Sequence, residues 1–545
     1  MNTTPKPQGK AMYVAPKSDK IWLLNEQRKL YARSWENPDY QFLKLWGLIT
    51  DRRNLRAAFE RISRNRGRRT AGVDGVTVRS VIAKGVEQFV EELRKGLRNG
   101  SFKPSPVRRV MVPKSGKIGQ FRPLGIPTVK DRTVQAAMKN ILEPIFEADF
   151  YPCSYGFRPQ RGVHMAVEQI RKLLCPTRTN RQTKVKDQFP YQYAIEGDIK
   201  GCFDNISHHG LMRRVRRRVG DNKVNRLIVA FLKSGVMEEE RIFRSQIGTP
   251  QGGILSPLLA NIALSTIEER YERYAWPRHT PSSLADPAQV KLRARRNRDH
   301  CKSRGKTIFV PIRYADDFII LVGVPRGPEQ IERAKQAAHR EKKDLAKVLK
   351  TTLDLELSVT KTLVSPITSP MRFLGHQIRV QKHPLYGWES KATIPKDRSK
   401  RLRQTIKEMF KRNICNIPLR TQLVKLNALL KGWGNFYRYA RGAKNVFHDL
   451  DRYVWWTIRR WLKKKHRQVG MRKLYTRYGW RTRGGKAIYW HDANVTCFQL
   501  QSLRVERFKQ WSQSRFQLAL TSMESPVHNE RCTLGSEEGA PETAG

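Results

Sequence analysis

Acidic residues are scarce in this chain, long apolar runs are missing, and its cysteines are scattered. Only 48 of 545 residues are Asp or Glu against 106 Lys or Arg, a formal net charge of +58. Such a chain repels itself unless a polyanion neutralises it, so nucleic acid is the expected partner. An anionic membrane is the weaker rival. No run of eighteen apolar residues is present, which argues against a spanning helix. The seven cysteines (Cys153, Cys175, Cys202, Cys301, Cys415, Cys497 and Cys532) include no C-x-x-C pair. Their odd number and wide scatter count against a disulfide framework and against a paired-Cys zinc module. Met1 to Lys20 contains no apolar signal core, so a reducing cytoplasm is expected. No internal repeat is found.

Hydrophobic residues make up 39% of the chain, enough for packed cores. Residues 22–66 read as mostly helical, followed by the turn-rich stretch Thr70 to Gly75 and a helix near 85–98. Residues 104–130 read as extended, and 131–149 as a helix that Asp131 starts. Tyr193 to Ile199 reads as a strand. Residues 176–188 and 277–306 are polar insertions. Ile308 to Val322 reads as two β segments around an acidic turn, and Pro311 demotes the first to an irregular or edge position. Beyond about 390, basic and aromatic helical segments dominate. Residues 391–490 carry 28 Lys or Arg and 4 Asp or Glu. The last residues, 523–545, are acidic and polar, and disorder is expected there.

The chemistry concentrates in three places. Tyr314-Ala315-Asp316-Asp317 puts two adjacent carboxylates in a tight turn between apolar strands. Like charges so close raise each other's pKa, and a divalent cation would relieve them. Taken alone an Asp-Asp turn is weak evidence, since Asp is a common turn residue. Asp198 ends the Tyr193 strand, and Asp204 downstream reads equally well as an N-cap. Asp198, Asp316 and Asp317 together offer the oxygen ligands that hard Mg²⁺ prefers. Two such ions roughly 4 Å apart activate a 3′-hydroxyl and stabilise a leaving pyrophosphate. The third place is Gly248 to Ile262, where Ser256-Pro257 reads as an N-cap and N1 pair opening a helix. Gly252-Gly253 before it leaves backbone amides open to a base or sugar.

Taken in order, Arg122-Pro123-Leu124-Gly125-Ile126-Pro127, Tyr155-Gly156-Phe157-Arg158-Pro159, Asp198 to Asn205, Pro250 to Ile262, Tyr314 to Asp317 and Arg372-Phe373-Leu374-Gly375 resemble the reverse-transcriptase blocks of group II intron-encoded proteins. Gly72-Val73-Asp74-Gly75 resembles that family's N-terminal extension, and Gly432-Trp433-Gly434-Asn435-Phe436-Tyr437 the start of its maturase helices. The likeness runs from about residue 70 to 470. It implies an α+β right-hand polymerase with fingers, palm and thumb, an antiparallel palm sheet and a helical maturase domain. The implied segments are a basic helical extension over 1–70, fingers and palm over 71–385, thumb over 386–430, maturase and basic region over 431–522 and the acidic tail over 523–545. It implies Asp198, Asp316 and Asp317 as catalytic carboxylates and, with Ile199, as the metal site for two Mg²⁺ ions. It implies Lys114, Arg122, Phe203, Gln251 and Lys361 around the incoming nucleotide, with Phe203 walling off a ribose 2′-hydroxyl. Phe203 has an ordinary core phenylalanine as its alternative, and Leu357-Ser358-Val359-Thr360 before Lys361 departs from the family's acidic version.

Two basic clusters are read as phosphate contacts: Arg213, Arg214, Arg216, Arg217 and Arg218, and then Lys463, Lys464, Lys465 and Arg467. Aromatics interleave with the second, and helical spacing makes most of them core. Structured intron RNA is the fitting partner, with an RNA template, a DNA primer, dNTPs and target DNA implied by the resemblance. Nothing after residue 490 reads as a zinc-supported endonuclease. The expected function is RNA-directed DNA synthesis combined with help in intron splicing. Its rivals are an RNA-binding splicing factor with a retired polymerase, and a domesticated enzyme with no intron partner.

Overall fold

The computed structural model describes residues 12–113, 119, 121–177, 185–238, 241–243, 252–274, 287–385, 387–411, 414–481 and 488–508. The chain forms two compact units. One holds the residues up to Arg161 and Tyr191–Pro366, and the other Gly162–Pro190 and Ile367–Gln510. Among the described residues no helix is long and apolar enough to cross a membrane.

The first unit is organised around the Val129–Asp149 helix, nearly all of whose residues are buried. Against it pack the Lys17–Glu36 and Arg52–Arg64 helices. The helix starts two residues before the expected Asp131. Thr128 is its cap, accepting from the Asp131 amide, while a carboxylate oxygen of Asp131 accepts from the Thr128 hydroxyl and the Ser105 amide. Residue 131 therefore closes the first turn from inside it. Burial pushes the Asp131 carboxyl up to about 6. Val107–Pro113 and Phe121–Ile126 form an antiparallel hairpin, and Val107 and Arg108 also pair in parallel with Val236 and Met237.

The palm sheet is antiparallel throughout. Its order is Ile308–Tyr314, Asp317–Gly323, Tyr193–Gly197, Leu363–Pro366. Ile308–Tyr314 is an edge strand, which is where Pro311 can sit without robbing a second neighbour of a donor. The neighbouring strand is buried from Phe318 to Gly323, so its apolar run is continuous rather than alternating. The polar stretch 277–306 contains a helix, Pro287–Ser303, that composition did not signal.

The second unit has its own core. The Lys396–Met409, Leu419–Tyr437 and Ala443–Lys465 helices bury Leu402, Leu426, Phe447, Ile458 and Trp461 among others. Each such side chain contributes roughly 1.5–3 kcal/mol by leaving water. The strands Met371–Phe373, His376–His383 and Gly387–Thr393 form an antiparallel sheet beside the Val163–Leu173 helix. The expected acidic tail, 523–545, lies outside the described residues.

Candidate active site

Strand register brings the carboxylates together. Gly197 pairs with Phe318 and Tyr314 with Asp317, leaving Ala315 and Asp316 as a two-residue hairpin loop. Asp198 follows Gly197 directly at the end of that strand. Asp198 and Asp316 are close enough for the charge of Asp198 to act on Asp316. Burial first, and that charge next among the raising influences, holds the Asp316 carboxyl above the usual carboxylate range.

The residues that hold this turn are buried arms from elsewhere in the unit. Arg313 is fully buried. Its Nε donates to Glu268 Oε1 at 2.6 Å, and its Nη1 to Asn261 Oδ1 and to the Ala315 carbonyl, both at 2.9 Å. Its Nη2 donates to Ser154 Oγ at 2.8 Å. Asn261 in turn donates to the Gly156 carbonyl at 2.8 Å. The backbone of Arg313 is tied both ways, its amide donating to Cys153 O and its carbonyl accepting from the Tyr155 amide. Ala315 sits at φ +57°, a left-handed conformation costly for a residue with a Cβ, and the bond from Arg313 fixes its carbonyl. Gly156 lies so close that a Cβ there would stand 2.3 Å from the Ala315 amide nitrogen. A lone arginine between Ile312 and Tyr314 was the signal available in the sequence, and the motif reading passed over it.

Arg158 of the same loop is an internal staple. It pairs with Glu147 at 2.7 Å and donates to the Tyr151 and Ser154 carbonyls. Ser256 proves to be the first helical residue rather than the cap. The Ser256–Arg270 helix begins after Leu255 with no side-chain cap, and Ser256 is buried. Gly252 has its own structural duty. At φ +106° it lies against the Phe121–Ile126 strand, and a Cβ would stand 2.2 Å from the Gly125 carbonyl. Its missing side chain admits a neighbouring strand.

Lys361 Nζ stands 2.7 Å from Asp198 Oδ2. That bond raises the lysine's pKa, with the charges of Asp198, Asp317 and Asp316 adding to it. The backbone after Asp198 is pinned by the same segment: Ser358 donates to the Asp198 carbonyl, Lys200 to the Glu356 carbonyl, and Ile199 bridges Leu357. Ile199 is buried and its side chain has no ligand atom, so only its backbone carbonyl is available to a metal. Phe203 is half-buried and meets Phe157 edge-on at 6.2 Å, close to the core without being sealed in it. Arg122 lies opposite Val112 in its hairpin and is half-buried. Lys114 and Gln251 lie outside the described residues. The donor set, carboxylate oxygens, suits a hard cation. Among the described residues no group of three such side chains is closed into a metal cage.

The basic clusters divide on inspection. Arg213, Arg216 and Arg217 are exposed. Arg214 is buried, donating to the Ile262 carbonyl and Ser265 Oγ at 2.8 Å each and pairing with Glu269. Arg218 is buried too, pairing with Asp149 at 3.2 Å and donating to the Asn37 and Ser34 carbonyls. Those two are corrected from phosphate contacts to structural ties. On helix His208–Arg216 residues 211, 212, 214 and 215 face inward, a phase that a run of arginines conceals. In the second cluster Lys463, Lys464 and Arg467 are exposed, while Lys465 reaches back to the Cys415 and Ile417 carbonyls.

Residues 112–378 match the family described as reverse transcriptase (RNA-dependent DNA polymerase), and 399–479 match the group II intron maturase-specific domain. The chain is 32% identical over 384 residues to the group II intron-encoded protein LtrA of Lactococcus lactis subsp. cremoris, covering 65% of this chain and 59% of that protein's length. It is 32% identical over 376 residues to protein YkfC of Escherichia coli (strain K12), covering 69% of this chain and 93% of that one. A 91 kDa protein in a cob intron of Schizosaccharomyces pombe is 28% identical over 428 residues, covering 70% and 49%. With its acidic hairpin, its palm sheet and these likenesses together, the chain belongs to the family of group II intron-encoded reverse transcriptase/maturases.

Proposed function

We propose that this chain copies RNA into DNA by templated nucleotidyl transfer and assists the splicing of the intron RNA it accompanies. The observation that carries the first half is the register that sets Asp198 beside the Asp316–Asp317 hairpin, braced from behind by Arg313. Two Mg²⁺ ions bound by Asp198, Asp316, Asp317 and the Ile199 carbonyl would activate the primer 3′-hydroxyl and neutralise the leaving pyrophosphate. Water and substrate phosphate supply the remaining oxygens. Lys361 balances the charge of Asp198 and orients its carboxylate. Arg122, Lys114 and Gln251 meet the dNTP, and Phe203 stands against the 2′ side of its ribose. The substrates are an RNA template, a DNA primer and dNTPs, with target DNA as the primer's source, and the setting is the nucleic-acid-rich cytoplasm of a prokaryote. Fingers and palm occupy 71–385, thumb 386–430 and the maturase region 431–522. The test is primer extension on an RNA template, with the four dNTPs and Mg²⁺. Absence of any templated product from the folded protein overturns the polymerase reading.

Sugar choice gives a sharper check on one residue. Phe203→Val should raise ribonucleotide incorporation relative to deoxynucleotide by on the order of tenfold or more, since a ring-sized space opens beside C2′. The measurement is the ratio of kcat/KM for the two nucleotides. An unchanged ratio would return Phe203 to the core.

The second half rests on the basic excess of residues 391–490. Affinity for intron RNA should fall about a hundredfold or more between 50 and 200 mM salt, as neutralised phosphates release counterions. Changing Lys463, Lys464 and Arg467 together to Ala should flatten the log–log slope by about 2 and weaken binding. Lys465 is left intact because it ties two carbonyls. A salt titration of both proteins decides this, and an unchanged slope counts against phosphate contact by the cluster.

A further inference from the structure

In the second unit the Ala443–Lys465 helix carries a second stripe beside the one that faces its core. Its buried face runs through Phe447, Leu450, Val454, Ile458 and Trp461. The adjacent stripe at i, i+3, i+4, i+7, i+10 and i+11 is Asp449, Arg452, Tyr453, Trp456, Arg459 and Arg460. With Arg403 from the Lys396–Met409 helix it lines an open groove of about 390 Å³. Four guanidinium groups face one carboxylate there. Trp456 is 46% exposed, unlike the neighbouring core aromatics.

The groove is braced. Arg459 lies over the Trp456 ring at 5.1 Å and is fixed by a 3.1 Å bond to the Tyr475 hydroxyl. Trp455 meets Trp456 edge-on at 5.0 Å. Arg403 lies over Tyr453 at 5.5 Å, and the Tyr453 hydroxyl donates to the Arg403 carbonyl at 3.2 Å. Arg460 donates to the Trp456 carbonyl at 3.3 Å. Asp449 is 4.0 Å from Arg452, both exposed, too loose to retire that charge. An exposed indole held in place among guanidinium groups offers a stacking surface beside charges that pair with phosphate.

We propose that this groove binds one unpaired nucleotide of single-stranded RNA, its base stacked on Trp456 and its flanking phosphates held by Arg403, Arg452 and Arg460. The volume suits a base with its ribose and is at the small end for ligand clefts, roughly 300–1,000 Å³. The choice of RNA rests on the maturase reading, since the groove lies within the matched span 399–479. Stacking tolerates any base, so the groove anchors a strand without reading its sequence.

The experiment uses the full chain and a ten-nucleotide single-stranded RNA carrying one 2-aminopurine. Wild type should quench the probe, and Trp456→Phe should keep most of the quenching. Trp456→Leu should lose it and bind about tenfold more weakly. Arg403→Gln with Arg452→Gln should lower the salt slope by about 1.4 while leaving Trp456 in place. Trp456 is surface-exposed, and a thermal melt of each variant verifies folding. Undiminished quenching and affinity in Trp456→Leu overturn the proposal, as does equal quenching of the same RNA annealed to its complement. Equal or tighter binding of the matching DNA strand overturns the assignment to RNA. None of these readouts depends on DNA synthesis or splicing, so the groove can fail while the proposed function stands, or the reverse.

Discussion

Changing Asp316 and Asp317 together to Ala should lower RNA-templated DNA synthesis by on the order of a thousandfold or more, with intron RNA affinity changed less than about twofold. The two carboxylates are where a metal-held transition state would be stabilised, and losing even one transition-state contact costs about 10²–10³ in rate. They lie at the hairpin turn of the palm sheet, Asp316 in its loop and Asp317 opening the next strand, whereas the proposed RNA contacts are exposed basic groups elsewhere. Primer extension and filter binding on the same preparations test both halves. Residual synthesis near the wild-type level would remove the hairpin from the chemistry.

The electrostatics of the hairpin add a stability signature. Asp316 has a raised pKa chiefly because burial opposes its charge. A carboxyl whose folded pKa is raised contributes stability below its unfolded pKa, and that contribution is lost as pH rises through the folded value. In chelator, where no divalent ion offsets the charge, Asp316→Asn should therefore melt higher than wild type at pH 7–8. The difference should shrink as pH falls and Asp316 takes up its proton. An active variant, or one that melts lower at neutral pH, would speak against this account. Stability gained at the cost of function is the usual mark of a group placed for chemistry.

The sequence exposed local features better than it exposed the ties between them. The acidic turn, the apolar strands flanking it and the edge position of Pro311 are written in adjacent residues, so period and turn chemistry reveal them. The helix at 129–149 was legible in extent but not in its cap, because Thr128 and Asp131 exchange hydrogen bonds and either reads as an initiator. Lys361 stands 163 positions from its partner Asp198, a distance across which no local pattern speaks. Arg214 and Arg218 misled because five basic residues within six positions look like one surface, yet helix phase turns Arg214 inward and Arg218, in the turn after the helix, folds back to Asp149 and the Ser34 and Asn37 carbonyls. The stripe ending at Arg460 shows the reverse case. Helical spacing marked its aromatics as core, and for Trp461 that holds, but Trp456 lies five positions earlier on another face.

Arg313→Met should destabilise the first unit by about 3–5 kcal/mol, the range for removing one partner of a buried ion pair. That corresponds to a melting shift of roughly 4–7 °C in a unit of this size. The Glu268 carboxylate would be left in the core facing an apolar chain, the Ala315 carbonyl and the Asn261 and Ser154 side chains would each lose a donor, and the hairpin loop would lose its brace. Glu268→Met should be similarly damaging. The double variant should be less destabilised than the sum of the two, since it removes both charges together. Arg313→Lys should fall between, because a single ammonium cannot reach four acceptors arranged for a planar fork. Synthesis separates positioning from mere stability. At a temperature where Arg313→Lys is fully folded, kcat should fall while KM for dNTP stays near its original value, because Arg313 holds the carboxylates and does not meet the substrate. Calorimetry of the four proteins gives the coupling energy, and steady-state extension gives the kinetic split. Additive losses would dismiss the pair as a unit, and unchanged kcat in folded Arg313→Lys would reduce Arg313 to a core residue with no part in aiming Asp316.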